Sequence, residues 1–348
     1  MTLTRRSMLM SGAAALLTAY SPAVSAQNEQ ATGMILRRVP RPGEDPDFFL
    51  FGQPGDHVPT GEPVIIDYSG IRVVVHYPLY TRNARLVVFS HGALADPQVY
   101  RRIIDHWVSH GFMVAAPIHD DSVFERGLLA RRTAVSGEAV WEVDKVLNDS
   151  AAWDARCEAC RLPLDAPERL GNTVDMRIDT ERPIIIGHEF GAYVAQLLLG
   201  ANVTVSNGKR QSFYDSRWYA GCLLSPQGAG IMGLDDNSWE AISKPMMIVQ
   251  GELETDFTGQ EPIRKIDPFQ KSVAGNKHLM WFPKGDRLLY SGPRAGVNEE
   301  GAMRFENLKA VTTAFIDAYA NYDADTFKLL VGGWAQISTR DDVLSRYR

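Results

Sequence analysis

Pro183-Ile184-Ile185-Ile186-Gly187-His188-Glu189-Phe190-Gly191-Ala192-Tyr193 is the stretch that decides the fold. An apolar run enters a pair of glycines four residues apart and continues into an apolar, helix-compatible segment. A buried strand that turns sharply into a helix, with one side chain raised between two glycines, is the layout of a nucleophile elbow. Gly187 and Gly191 permit the tight turn, His188 precedes the raised position, and the strand end lifts residue 189 over whatever crevice lies beyond it. That layout calls for serine, and this chain has Glu189 there.

Working outward, residues 64–67 and 71–77 flank Tyr68-Ser69-Gly70 and read as a hairpin. Residues 86–90, 113–117, 183–187, 221–224, 245–251 and 278–282 are short apolar runs that read as buried strands. Helical patterns lie between them near 97–110, 137–149, 190–201 and 262–273, and a long amphipathic stretch follows at 302–321. Strand–helix alternation with continuously apolar strands predicts an α/β fold, a mostly parallel central sheet with helices on both faces. Ligands of such sheets bind beyond the carboxyl ends of the strands. Residues 27–60, rich in Pro, Gly and charge, read as an N-terminal surface segment. Residues 61–322 form the main domain, and 323–348 a C-terminal helical tail.

Of the 348 residues, 45% are apolar and 22% charged, with a formal net charge of -6, the balance of a soluble globular chain. No basic stripe with interleaved aromatics is present, which argues against a nucleic-acid partner. Residues 1–26 read as a signal peptide of the twin-arginine type: Arg5-Arg6-Ser7-Met8-Leu9, an apolar stretch too short to span a bilayer, then Val24-Ser25-Ala26. Cleavage after Ala26 predicts a periplasmic or secreted protein with no integral membrane segment, its charge moved to -8 by loss of Arg5 and Arg6. Cys157 and Cys160 have the spacing of a local disulfide, or remain two free thiols. They lack the extra ligands of a zinc site and the histidine of a haem attachment. Neither a metal nor a cofactor is expected.

Several further motifs stand in order along the chain. They are Ser90-His91-Gly92, Ala115-Ala116-Pro117-Ile118-His119, Ile178-Asp179-Thr180-Glu181-Arg182, Leu224-Ser225-Pro226-Gln227-Gly228 and Ala314-Phe315-Ile316-Asp317-Ala318-Tyr319. With the elbow, this set resembles the predicted dienelactone-hydrolase group of the α/β-hydrolases, related to platelet-activating-factor-acetylhydrolase-like esterases, over roughly residues 60–322. The resemblance implies the α/β-hydrolase fold and ester hydrolysis by a Ser-His-Asp triad. It also implies an oxyanion hole from the backbone amides of Ala93 and Phe190, with Leu94 as the fallback for the first.

The departures carry the functional reading. By resemblance the catalytic acid position is Glu254, with Asp256 nearby, and the histidine position after the last strand holds Arg287. No histidine lies beyond His278. Histidine serves in a triad because it takes and returns a proton near neutral pH, whereas arginine stays charged. With Glu189, Arg287 and Glu254 at the triad positions, the chain is expected to be no working serine esterase. The favoured reading is a pseudohydrolase or a binding or accessory protein for a small-molecule or ester-like ligand. The alternative is an enzyme that uses Glu189 as carboxylate nucleophile or general base. Because the swap conserves net charge, Arg287 is expected between Glu189 and either Glu254 or Asp256, as a forked partner. The bland roles go to His188 (packing or hydrogen bonding beside the elbow), His91 and His119 (loop-fixing hydrogen bonds), Asp120-Asp121 (a solvated turn), and Tyr214, Trp218, Tyr219 and Trp239 (core or rim).

Overall fold

The computed structural model describes residues 50–122, 143–292 and 299–348. The expected signal segment 1–26, most of the expected lead-in 27–60 and residues 137–142 of one expected helix lie outside them.

The hairpin forms as the sequence predicts. Val64–Tyr68 (β1) pairs antiparallel with Ile71–His76 (β2), and the Gly70 amide closes the turn on Asp67 Oδ1 at 2.7 Å. Asn83–Ser90 (β3), Phe112–Pro117 (β4) and Arg177–His188 (β5) follow, with Ala220–Leu224 (β8), Met246–Gly251 (β9) and Lys277–Phe282 (β10) further on. Asn202–Thr204 (β6) and Arg210–Ser212 (β7) make a separate small ribbon. The main sheet has the order β1-β2-β4-β3-β5-β8-β9-β10-β11, where β11 is Leu344–Tyr347. From β4 to β10 every neighbouring pair is parallel.

This order creates the site. From β3 the chain crosses to β4 on one side, then returns to place β5 on the opposite side of β3. The winding therefore reverses at β3–β5, a topological switch point, the place where ligand sites of such sheets are found. The loop after β3 starts at His91, and the elbow begins at the end of β5.

Successive strand side chains point to opposite faces, so each buried strand feeds two cores. Val87, Phe89, Ile184, Ile186, Met247 and Val249 pack with Arg101–Ser109 (α1) and, later in the chain, Glu299–Ile316 (α6). Leu86, Val88, Ile185, Leu223 and Ile248 pack with Ser150–Asp165 (α2) and Phe190–Leu199 (α4) on the other face. Pro167–Val174 (α3) leads into β5, and Asp267–Lys271 (α5), after a 3-10 turn at Pro262–Ile266, fills the 262–273 window. Helix α2 was not visible in the sequence. It holds Pro163 and buries Arg156, Cys157 and Cys160, so its apolar face is broken by residues ordinarily placed elsewhere. Cys157 and Cys160 sit one turn apart on it as buried free thiols, so the possible disulfide is not formed.

The tail departs from a purely helical segment. Ala324–Val331 (α7) and Trp334–Ser338 (α8) are helical, but β11 then adds antiparallel to β10, with His278 opposite Tyr347. Among the described residues, no helix is long and apolar enough to cross a membrane.

Candidate functional site

Glu189 sits at φ 48° and ψ -114°, between the last residue of β5 and the first of α4. Non-glycine residues rarely occupy such a conformation, which is held by surrounding structure. Here the Glu189 amide donates to Leu224 O at 3.0 Å, and the Glu189 carbonyl accepts from Tyr193 N at 2.9 Å to open the helix. The glycines are required by close approach rather than by their own dihedrals. A Cβ on Gly187 would stand 2.1 Å from Gly191 O, and one on Gly191 would stand 1.9 Å from Ser90 O. The elbow is thus built in full around a residue that cannot act as an alcohol nucleophile.

The Glu189 carboxylate is 3% exposed. Arg287 Nη2 reaches it across the strand ends, 2.9 Å from Oε1 and 3.2 Å from Oε2, as the charge-conserving swap implies. The contact is not the expected fork: one nitrogen serves both oxygens, and Nη1 has no hydrogen-bond partner. Arg287 opens a short 3-10 turn capped by Asp286, and its guanidinium lies 4.7 Å from the Phe257 ring centre.

The far side of the guanidinium does not meet the expected acids. Glu254, with no exposure, faces His188, its Oε1 standing 3.8 Å from His188 Nε2. Its Oε2 accepts from Gln250 Nε2 at 3.2 Å. Burial alone would raise the Glu254 carboxyl pKa, but the nearby Lys265 charge, with the neighbouring His188 and Ser225 side chains, holds it below the usual carboxylate range. Asp256 pairs with Lys265 at 2.5 Å and is likewise held low against its burial. The acid loop after β9 turns its carboxylates toward His188 and Lys265, so two arrangements replace one continuous network.

His188 takes both the packing and the hydrogen-bonding role read for it. Its Nδ1 shares a 2.7 Å hydrogen bond with Tyr100 OH, its ring packs 4.6 Å from that of Tyr290, and its other nitrogen faces Glu254. The imidazole thus approaches the acid from the elbow side, whereas Arg287 comes from the loop after β10. The signal available in the sequence was the adjacency of His188 to the elbow residue. Nothing in the sequence linked it to Glu254.

The loop after β3, where the resemblance places the oxyanion hole, is braced from several sides. Leu94 N donates to Asp121 Oδ2 at 3.0 Å, so the fallback amide is already engaged. Asp121 is no solvated-turn residue. It is buried and gripped by Arg156 through Nε at 2.9 Å and Nη2 at 2.7 Å. Arg156 also donates from Nη1 to His91 O at 2.7 Å and lies 4.2 Å from the Phe190 ring centre. The loop, the Asp121 turn and the start of α4 are therefore held by one buried guanidinium. His91 and His119 take the loop-fixing roles read from the sequence, with His119 Nε2 2.9 Å from Ser90 Oγ. Trp218 and Trp239 are fully buried core residues, whereas Tyr214 is exposed.

A second serine merits comparison with a nucleophile. Ser225 Oγ accepts from Lys265 Nζ at 2.8 Å, and both residues are fully buried. Burial disfavours the lysine charge, but Asp256 and Glu254 outweigh it and raise its pKa. A lysine held protonated takes no proton from serine, so this pair lacks the base of a Ser-Lys dyad. Of the titratable groups at the elbow, His188, Glu189 and Glu254 each bring a potential ligand atom within 4.8 Å of the others.

No family model matches the chain. It is similar to a curated protein, platelet-activating factor acetylhydrolase of Cavia porcellus, at 25% identity over 61% of this chain and 50% of that protein. The chain thus spans about half the length of the curated relative it matches. Fold, elbow and similarity together describe an α/β-hydrolase-like chain in which a His188-Glu189-Glu254 cluster stands where a Ser-His-Asp triad would be expected.

Proposed function

We propose that this chain is an exported pseudohydrolase, a protein with the esterase scaffold that does not hydrolyse esters by serine chemistry and serves a binding or accessory role. The carrying observation is the Glu189–Arg287 ion pair. It places a buried carboxylate at the nucleophile position and a permanently charged guanidinium at the position where the resemblance calls for histidine. The similarity to platelet-activating factor acetylhydrolase supports descent from an ester-processing scaffold. Export rests on the Arg5-Arg6 segment and the Val24-Ser25-Ala26 cleavage pattern alone.

The alternative, Glu189 as nucleophile, meets two obstacles. The carboxylate is neutralised by Arg287, and an acyl intermediate on it would need a base to activate water, which arginine does not supply. The test is hydrolysis of p-nitrophenyl acetate and butyrate by purified protein. No turnover above buffer is expected from the wild type, and Glu189→Gln should leave the blank rate unchanged. Turnover abolished by Glu189→Gln would establish the carboxylate as catalytic.

A further inference from the structure

The buried elbow cluster is unbalanced in charge. Lys265 is paired with Asp256 at 2.5 Å and Arg287 with Glu189 at 2.9 Å, so Glu254 is a third carboxylate that only shares the Lys265 charge, three buried carboxylates against two cations. Two side chains more than nine-tenths buried also aim unsatisfied atoms at each other. Glu254 Oε1 and His188 Nε2 stand 3.8 Å apart, and neither has a hydrogen-bond partner. Glu189 Oε1 makes only the ionic contact with Arg287. Buried polar atoms are rarely left unmatched in native proteins, and an ion or water is a usual reason.

The donor set is specific. One imidazole nitrogen and two carboxylate oxygens suit a borderline divalent ion, and three protein ligands leave a fourth tetrahedral position open. At the usual bond lengths such ligand atoms stand about 3.4 Å apart. His188 Nε2 and Glu254 Oε1 stand 3.8 Å apart and all three ligand atoms lie within 4.8 Å of one another, so binding an ion requires the side chains to draw together by up to about 1 Å. Second-shell support is already present: Tyr100 OH, which accepts from Gly92 N at 3.2 Å, also engages His188 Nδ1 at 2.7 Å. A ring proton on Nδ1 directs the Nε2 lone pair toward the carboxylates, the arrangement metal-binding histidines use.

We propose that His188 Nε2, Glu189 and Glu254 bind one divalent ion of the zinc class, and that Arg287 competes with it for Glu189. This goes beyond the pseudohydrolase reading and does not rest on it, since ester turnover and ion binding are read out separately. Arg287 is the distinguishing residue. Its guanidinium occupies Glu189 in the ion-free arrangement and must yield that carboxylate when an ion binds.

The experiment titrates the metal-stripped full chain with Zn²⁺ by calorimetry and with Co²⁺ by visible absorption, alongside Arg287→Met, Glu254→Gln and His188→Gln. One equivalent of each ion should bind, with a Co²⁺ spectrum of low coordination number. Arg287→Met should tighten binding by about 10-fold or more, and Glu254→Gln should weaken it by about 100-fold. Cooperative urea unfolding checks each variant. Glu254→Gln, which keeps shape and volume, carries the test if His188→Gln does not fold. No stoichiometric binding by wild type and Arg287→Met, or binding undiminished by Glu254→Gln, overturns the proposal.

Discussion

At the scale of single residues, Glu189 combines a strained backbone with a paired side chain. A non-glycine residue at φ 48° and ψ -114° carries a conformational cost of about 1–3 kcal/mol, which the β5–α4 junction imposes. The Arg287 contact offsets the cost of burying the carboxylate. Removing the cation leaves that carboxylate stranded, so Arg287→Ala should destabilise by about 3 kcal/mol, toward the lower end for a broken buried pair because Arg287 keeps some exposure. Glu189→Gln should cost less, because it leaves a neutral amide facing a cation that can turn to solvent. A double-mutant cycle in urea should show a coupling energy above about 1 kcal/mol. Additive effects would mean that the contact contributes nothing. The Glu189–Arg287 pairing was legible because two replacements at positions expected to approach each other exchanged charge in compensating directions. The partner of Glu254 was not legible: a histidine beside a glycine turn is ordinarily packing, and only the path of the loop after β9 brings the acid onto it.

At the scale of elements, the strands were readable because their central runs are apolar and covered on both faces. Each of the six parallel strands contains its expected apolar run, although β5 begins six residues earlier, at Arg177, in a polar and largely unburied stretch. Helix α2 was hidden because its working residue is a buried arginine, a type that reads as surface. That arginine locks the oxyanion loop to α4. Asp121→Asn should therefore cost about 3–5 kcal/mol, since it strands Arg156 away from water. Equilibrium denaturation checks this, and a loss within about 0.5 kcal/mol would show the brace to be dispensable. Gly191→Ala tests the elbow. Its Cβ would press on Ser90 O at 1.9 Å, so β3 and α4 must separate, and a loss of more than about 2 kcal/mol is expected in the same assay. Strand β11 was missed because its four residues, Leu344–Tyr347, follow helices and are mostly polar or exposed. Truncation after Asp342 should uncover the β10 edge and promote self-association, measurable by light scattering.

At the scale of the whole molecule, three buried carboxylates set the acid limit. Asp121, Glu254 and Asp256 all have folded pKa values depressed despite burial, by Arg156 in the first case and by Lys265 in the other two. A depressed folded value means stability fully present above the unfolded pKa, about 4, and lost as pH falls through the folded values. Urea midpoints should therefore hold from pH 7 to about 5 and fall steeply below about 4. Asp121→Asn should flatten that fall, and an unchanged acid slope would remove Asp121 from the account. Fold class and the position of the site followed from the strand pattern and the elbow, because both are set by local sequence. The chemistry of the site did not, because it depends on contacts between loops that follow β3, β5, β9 and β10. The most direct test of the central claim, that this chain carries no activated serine, is intact-mass measurement after treatment with a fluorophosphonate probe. The wild-type protein is expected to gain no adduct, while Glu189→Ser with Arg287→His should gain one adduct at the elbow. An adduct on any serine of the wild-type protein, Ser225 beside Lys265 included, would contradict the claim.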